Sequence, residues 1–285
     1  MNSPLSPGEH LVEGFQNPIH GPDAKERGRI RDRPGARSAL FDTRRVPEAS
    51  YNSDMLALAA VTLATAALPT FDDAVQTGLK DIAFSVKVVS AKRAELRKIN
   101  RDFAISYEAK EVKVQWKEPM KLRLTSKVNG QALTYLVVGS KKTYHIPRLR
   151  LKKTEDISKS PGKRQTLLDF GMISPSMSKS FLKGSYVRTD REGRLIFDVN
   201  YQYAGDTSRH RVWIDAGKRY VVKRMWFNRK GQLMATFDYT EPVEANGLWI
   251  PTKLTVRNAE GKVAGVSRFE SIKVNGGIPD SVFKL

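Results

Sequence analysis

From Ile99 to the C-terminus the chain runs through short stretches in which apolar and polar residues alternate, separated by polar turns. The clearest places Leu195, Phe197, Val199, Tyr201 and Tyr203 at every second position, with Asp198, Asn200 and Gln202 between them. A strand points successive side chains to opposite faces, so this pattern gives one dry face and one wet face. The same period recurs at Phe103, Ile105 and Tyr107, at Val112, Val114 and Trp116, at Leu233, Ala235, Phe237 and Tyr239, and at Ile250, Thr252, Leu254 and Val256. On these stretches the basic positions fall opposite the aromatic ones, as Lys113 and Lys117 do against Trp116.

Turn chemistry punctuates the strands. Asn129-Gly130 predicts a tight hairpin between 120–128 and 131–139. The turns at 190–193, 228–231 and 258–261 each close on a glycine, the residue that takes positive φ without strain. About eleven strands are expected. Two stretches depart from the pattern. Thr70 with Asp73 three residues on predicts a capped helix with Val75, Leu79, Ile82, Val86 and Val89 on one face, continuing from Ala91 to Ile99. Residues 155–183 read as helical or irregular. The order is therefore a helix, about five or six strands, an insertion, and about five or six more strands. Short connections favour an antiparallel meander, and a sheet of this size must curl. The expected fold class is mainly β (α+β): a curled antiparallel sheet forming a half-open barrel with helices over its concave face.

With 285 residues, 40% of them hydrophobic, the chain can bury a substantial core. The net charge of +19 is unevenly placed, because residues 1–54 hold eight basic and eight acidic residues. The excess lies in the strand-rich part and suggests acidic partners such as phospholipid head groups, polyanionic glycans or nucleic acid, against the plainer reading of a solvated basic surface. Absence of cysteine excludes disulfides, thiolate metal sites, cysteine nucleophiles and a lipid anchor on an N-terminal Cys.

Residues 1–54 are rich in Pro, Gly, Arg and Asp without periodicity, as expected of a disordered leader or a gene-start artefact. Residues 55–69 are uncharged and Ala-rich, with Ala64-Thr65-Ala66 as a cleavage motif, and read as a signal-peptide-like segment. An internal anchor or an Ala-rich core helix are the other readings. Export places the mature start near Ala67 and the half-barrel domain at 70–285.

Catalytic chemistry has little to work with. His145 and His210 each stand singly near a strand end and are expected to be exposed, and neither has metal-ligand spacing to another His. No phosphate-loop, dinucleotide or nucleophile-elbow motif is present. The chain is read as a non-enzyme without cofactor or metal. The candidate ligand face comprises Phe103, Ile105, Tyr107, Trp116, Leu122, Leu124, Phe197, Val199, Tyr201, Phe237, Tyr239 and Ile250, because a large curled sheet encloses more space than its side chains readily fill. Phe170, Met172, Ile173, Met177 and Phe181 in the insertion form either a lid over that space or a plug that completes the core. Single-strand nucleic-acid binding needs cations and stacking rings on one surface, and the strands separate them, so no nucleic-acid partner is expected.

Several landmarks in order resemble the LolA/LolB-like superfamily of bacterial outer-membrane lipoprotein carriers and sorting proteins. They are Lys98-Ile-Asn-Arg-Asp-Phe103 at a helix-to-strand junction, Trp116-Lys-Glu-Pro-Met-Lys-Leu-Arg123, Thr143-Tyr-His-Ile-Pro147, Val212-Trp-Ile-Asp215, Leu248-Trp-Ile-Pro251 and Val274-Asn-Gly-Gly-Ile-Pro-Asp-Ser-Val-Phe283. The resemblance implies an unclosed barrel that holds acyl chains or lipoproteins without catalysis, in the periplasm or otherwise exported. It also implies transient contact with anionic membrane surfaces and an envelope donor or acceptor protein. One position departs: the superfamily's carriers have Arg before the second-strand proline, where this chain has Glu118 before Pro119. The resemblance therefore implies lipid-type binding ahead of lipoprotein transfer, by a soluble carrier; the alternatives are an envelope-stress or lipid sensor domain of the same fold, or a basic nucleic-acid-binding module.

Overall fold

The structure, a computed structural model, describes residues 67–128, 130–203 and 209–285. The leader at 1–54 and the signal-peptide-like segment, apart from Ala67–Pro69, lie outside the described residues.

Thirteen strands form one antiparallel sheet among the described residues. The first six are β1 (Asp81–Ala91), β2 (Glu111–Lys117), β3 (Lys121–Val128), β4 (Gln131–Val138), β5 (Lys141–Ile146) and β6 (Leu151–Asp156). The other seven are β7 (Leu182–Thr189), β8 (Arg194–Tyr201), β9 (Arg209–Asp215), β10 (Val221–Phe227), β11 (Leu233–Ala245), β12 (Leu248–Asn258) and β13 (Val263–Val274). Their spatial order is β6-β5-β4-β3-β2-β1-β13-β12-β11-β10-β9-β8-β7. Two sequential meanders thus meet where β1 pairs with β13, and the barrel stays open because β6 and β7 do not pair with each other. The edges are guarded chemically. β6 carries Lys152, Lys153, Glu155 and Asp156, and β7 has a bulge between Tyr186 and Arg188, both of which discourage pairing with another chain. The expected turns close as drawn, with Gly193, Gly231 and Gly261 at φ of 75°, 75° and 78°.

Residues 70–99 correct the expected long helix. Thr70 and Asp73 do form a capping box, but only over a short 3-10 turn, Phe71–Ala74. Residues 81–91 are strand β1. Ile82 and Val86 fit both a helical and a strand period, whereas Phe84, between them, is 3% exposed and Val89 is 58% exposed. β-branched residues at 82, 86, 88 and 89 favour the strand, and pairing on both sides secures it, with Ile82 opposite Trp116 and Val274. The helical reading holds only at α1, Arg93–Ile99.

Phe103, Ile105 and Tyr107 correct the opposite way. They lie on or just after α2, Arg101–Ser106, whose cap is the Asn100 side chain accepting from the Phe103 N–H at 2.6 Å. Four residues separate Phe103 from Tyr107, which is one helical turn, so their rings stack at 5.8 Å. The junction at Asn100 therefore joins two helices.

Besides α1, which packs on β12 and β13, two segments without strand structure lie across the sheet. Residues 157–181, which include α3 (Pro175–Ser180), run from edge β6 to edge β7 over the concave face. Residues 275–285 fold back over the convex face, where the 3-10 turn Asp280–Phe283 packs on β3 and β4 and buries Phe283. Among the described residues no helix is long and apolar enough to cross a membrane.

Candidate ligand-binding cavity

The inward phase of the strands brings Trp116, Leu122, Leu124, Phe197, Val199, Tyr201, Phe237, Tyr239 and Ile250 into one buried cluster. Phe170, Met172, Ile173, Met177 and Phe181 enter the same cluster from the inserted segment, with Leu167 and Leu168 beside them. Met172 and Met177 are wholly buried, so the segment fills most of the space the sheet encloses.

A cavity of about 110 Å³ remains between α2 and the inserted segment. Its walls are Val86 and Val88 from β1, Val112 from β2, Leu124 from β3, Phe237 from β11, Leu254 from β12, Phe103, Tyr107 and Ala109 from α2 and the residues after it, and Phe170 from the insertion. Of the residues expected to bind ligand, Phe103, Tyr107, Leu124, Phe170 and Phe237 line it. Trp116, Leu122, Phe197, Val199, Tyr201, Tyr239, Ile250, Met172, Ile173, Met177 and Phe181 are packed core away from it, and Ile105 is half-buried outside it. Tyr107 holds its place by a hydrogen bond to Ser267, and burial pushes its phenol up to about 12. Gly265 makes room for it, since a Cβ there would run into the Tyr107 ring.

Sequence reasoning missed the polar part of the lining: Ser106, Gln165, Asp169, Arg224 and Ser267. Arg224 contradicts the expectation that basic residues keep to the outer face, because it occupies the inward phase of β10 beside Trp226 and is 1% exposed. Lys142, in phase with buried Tyr144 on β5, does the same at 2% exposed. Both are tolerated because each has an acidic partner: Arg224 bonds Asp169 at 3.0 Å, and Lys142 bonds Glu155 at 2.9 Å. Burial pushes the Asp169 carboxyl above its ordinary range against the pull of the Arg224 guanidinium. Arg224 also lies 4.0 Å over the Phe237 ring. Two signals were available: Thr166-x-x-Asp169 reads as a capping box, which the structure shows, and Arg224 shares the phase of Trp226.

These groups fasten the inserted segment to the sheet. Arg164 donates to the Gly139 carbonyl at 3.0 Å, the Gln165 N–H donates to the Tyr135 hydroxyl at 3.0 Å, and the Tyr239 hydroxyl donates to the Leu168 carbonyl at 3.0 Å. Gly171, at φ 79°, sits so close to Tyr239 and Pro251 that a Cβ would come within 2.8 Å of the tyrosine ring.

The histidines separate. His145 is half-buried near the end of β5, whereas His210, expected at the surface, is 0% exposed and stands edge-on to Tyr201 at 6.0 Å. Alternation explains it, since His210 shares the inward phase of Val212 and Ile214. Among the described residues no three His, Asp or Glu side chains gather as a metal site. Trp213 and Trp249, by contrast, face outward beneath Lys223 and Lys218 at 5.0 and 4.2 Å. On the convex face the basic positions of β2 and β3 are engaged by the chain's own C-terminus. Lys117 and Lys121 bind Asp280 at 2.8 and 2.9 Å, and Arg123 donates to the Val282 carbonyl at 2.6 Å.

A LolA superfamily protein from Nitrosomonas europaea superposes with a TM-score of 0.50 at 14% identity, over 75% of this chain and 94% of that one. The fold is LolA-like. Similar too are a Vibrio parahaemolyticus domain assigned to outer membrane lipoprotein sorting (TM-score 0.49, 12% identity, 75% and 92% of the chains) and a DUF1329 family protein from Desulfovibrio piger (TM-score 0.46, 11% identity, 75% and 95%). A family model described only as an uncharacterized protein matches residues 198–285. Among curated proteins, none matches by sequence. The order of strands is what places the insertion across the open side of the sheet, and with it the cavity.

Proposed function

We propose that residues 70–285 form an exported carrier that holds acyl chains of a lipid or lipoprotein against the concave face and hands them on without catalysis. The observation that carries the reading is the apolar cavity beneath an inserted segment that spans the two unpaired edges of a LolA-like sheet. Each methylene moved from water into such a cavity contributes about 0.8 kcal/mol. The space of about 110 Å³ is smaller than the roughly 150 Å³ that accepts one benzene, so it seats only a short length of an acyl amphiphile. A longer acyl chain needs the inserted segment to move aside, which makes that segment the lid. In this reading residues 55–69 direct export, exposed lysines and arginines bring the protein to anionic membrane surfaces, and an envelope protein delivers or receives the cargo.

The test is to purify the protein from a bacterial envelope and examine it by native mass spectrometry followed by organic extraction. Acyl-chain ligand is expected. Phe181, 4% exposed and stacked on Tyr201 at 6.3 Å, belongs to the lid's packing, and Phe181→Asp should cut retention at least about tenfold by placing a charge against apolar surface. Lys179→Asp, at an exposed position on the same segment, should leave it unchanged. Protein that is empty and binds no fluorescent fatty acid would make the concave face a filled core and nothing more.

A further inference from the structure

The cavity is apolar along most of its wall, and two of the polar groups that line it are incompletely hydrogen-bonded. Arg224 spends one guanidinium nitrogen on Asp169, yet its buried Nε has no hydrogen-bond partner among the described residues. The Oε1 of Gln165, also buried, has none either. Both residues line the same cavity. Native proteins pair nearly all such atoms, and an exception calls for an unseen partner. One donor and one acceptor left open beside an apolar channel describe the complement of a ligand group that both accepts and donates.

Charge narrows the choice. Arg224 and Asp169 neutralise each other, so the pair carries no net charge to attract an anion, and a carboxylate would bring a second negative charge towards Asp169. Position narrows it further. Val86, Val88 and Val112 are half-exposed, whereas Arg224 is buried, so the donor that Arg224 offers lies deeper than the valines.

We propose that the cavity selects amphiphiles with a neutral head group that both donates and accepts a hydrogen bond, such as a primary alcohol or primary amide, bound head-inward with the tail along Val86, Val88 and Phe103. This rests on the acyl-cavity reading and adds a chemical selectivity to it. The head group accepts from the Arg224 Nε–H and donates to Gln165 Oε1, while the tail leaves towards the half-exposed valines.

The experiment titrates the purified full chain with decanamide, decanol, methyl decanoate and decanoate, following binding by calorimetry. Decanamide and decanol should bind at least about tenfold more tightly than the ester, which cannot donate, and than the carboxylate, because one unmet buried hydrogen bond is worth that much. Arg224 is too deeply buried to change safely, so the deciding variant is Gln165→Met, which removes the acceptor at a half-buried position. It should keep the melting temperature and bring the amide-to-ester ratio close to one. Equal binding of amide and ester by the unaltered protein, or a ratio that survives Gln165→Met, overturns the head-group site while leaving an acyl cavity standing. Failure of all four probes to bind overturns both.

Discussion

Two segments strap the sheet, one on each face, and they are fastened by opposite physics. The concave strap, residues 157–181, is held by burial: Met172, Ile173 and Met177 are within 1% of complete burial, and the Asp169–Arg224 ion pair is out of water on the arginine side. The convex strap, residues 275–285, is held at the surface by Lys117 and Lys121 around an exposed Asp280, with only Phe283 well buried. Charges in water are screened by salt and contribute little each, whereas a buried pair is insensitive to salt and costly to break. The concave strap therefore holds or releases as a unit, under the control of whatever occupies the core, while the convex strap responds to the solution around it.

The sharpest way to break this contrast is Asp169→Ala. It leaves the Arg224 guanidinium buried without its carboxylate, and the unfolding free energy should fall by about 3–5 kcal/mol in chemical denaturation. The double change Asp169→Leu with Arg224→Met should recover most of that loss, since two apolar side chains replace two buried charges. A double variant as weak as the single one would show that the loss does not come from the stranded charge. Next in size is Tyr239→Phe, which removes the hydroxyl donating to the Leu168 carbonyl. A loss of about 1 kcal/mol is expected, with faster amide exchange concentrated at 167–172. Exchange spread evenly over the sheet would mean that the tyrosine does not anchor the strap.

The smallest effect belongs to the convex side. Lys117 and Lys121 hold the Asp280 carboxyl down at about 2, against an ordinary 3.8. A depressed carboxyl contributes fully above its unfolded value, so this contact is complete at neutral pH and is lost as pH falls from 3.8 towards about 2. Amide exchange at 278–285 should accelerate over that range and also on raising salt from about 0.05 to about 0.5 M, with no change at 167–172. Asp280→Asn should abolish both responses.

How far the sequence reaches is itself uneven between these regions. Where a strand alternates cleanly, as from Leu195 to Tyr201, or ends in a glycine turn, pattern and structure agree, because one face must be dry and one turn must take positive φ. The stretch from Thr70 to Ile99 misleads because Ile82 and Val86 satisfy two periods at once, and only partners far along the chain, Trp116 and Val274, choose between them. Phe103 and Tyr107 mislead for the same reason in reverse. Of the cavity's apolar wall, Leu124 and Phe237 are legible as inward-phase strand residues, whereas Phe103 and Tyr107 reach it from a helix and its C-cap. The cavity's polar lining is not legible, since an arginine in a strand reads as solvent-facing until the carboxylate that neutralises it, 55 residues away in sequence, is placed beside it.

The pairing of β1 with β13 gives the molecule a spine. Apart from it, every strand pair joins neighbours in sequence, so the sheet consists of two leaves, of six and seven strands, bound along that single line. Two register shifts along this pair, one with its extra residue in β13 between Glu270 and Lys273 and one with its extra residue in β1 between Val88 and Ser90, bend the binding itself. A book opens farthest from its spine, and here that place is the gap between β6 and β7. Among the described residues, 157–181 is the ribbon that crosses the gap, so a change of angle at the spine would pull on it.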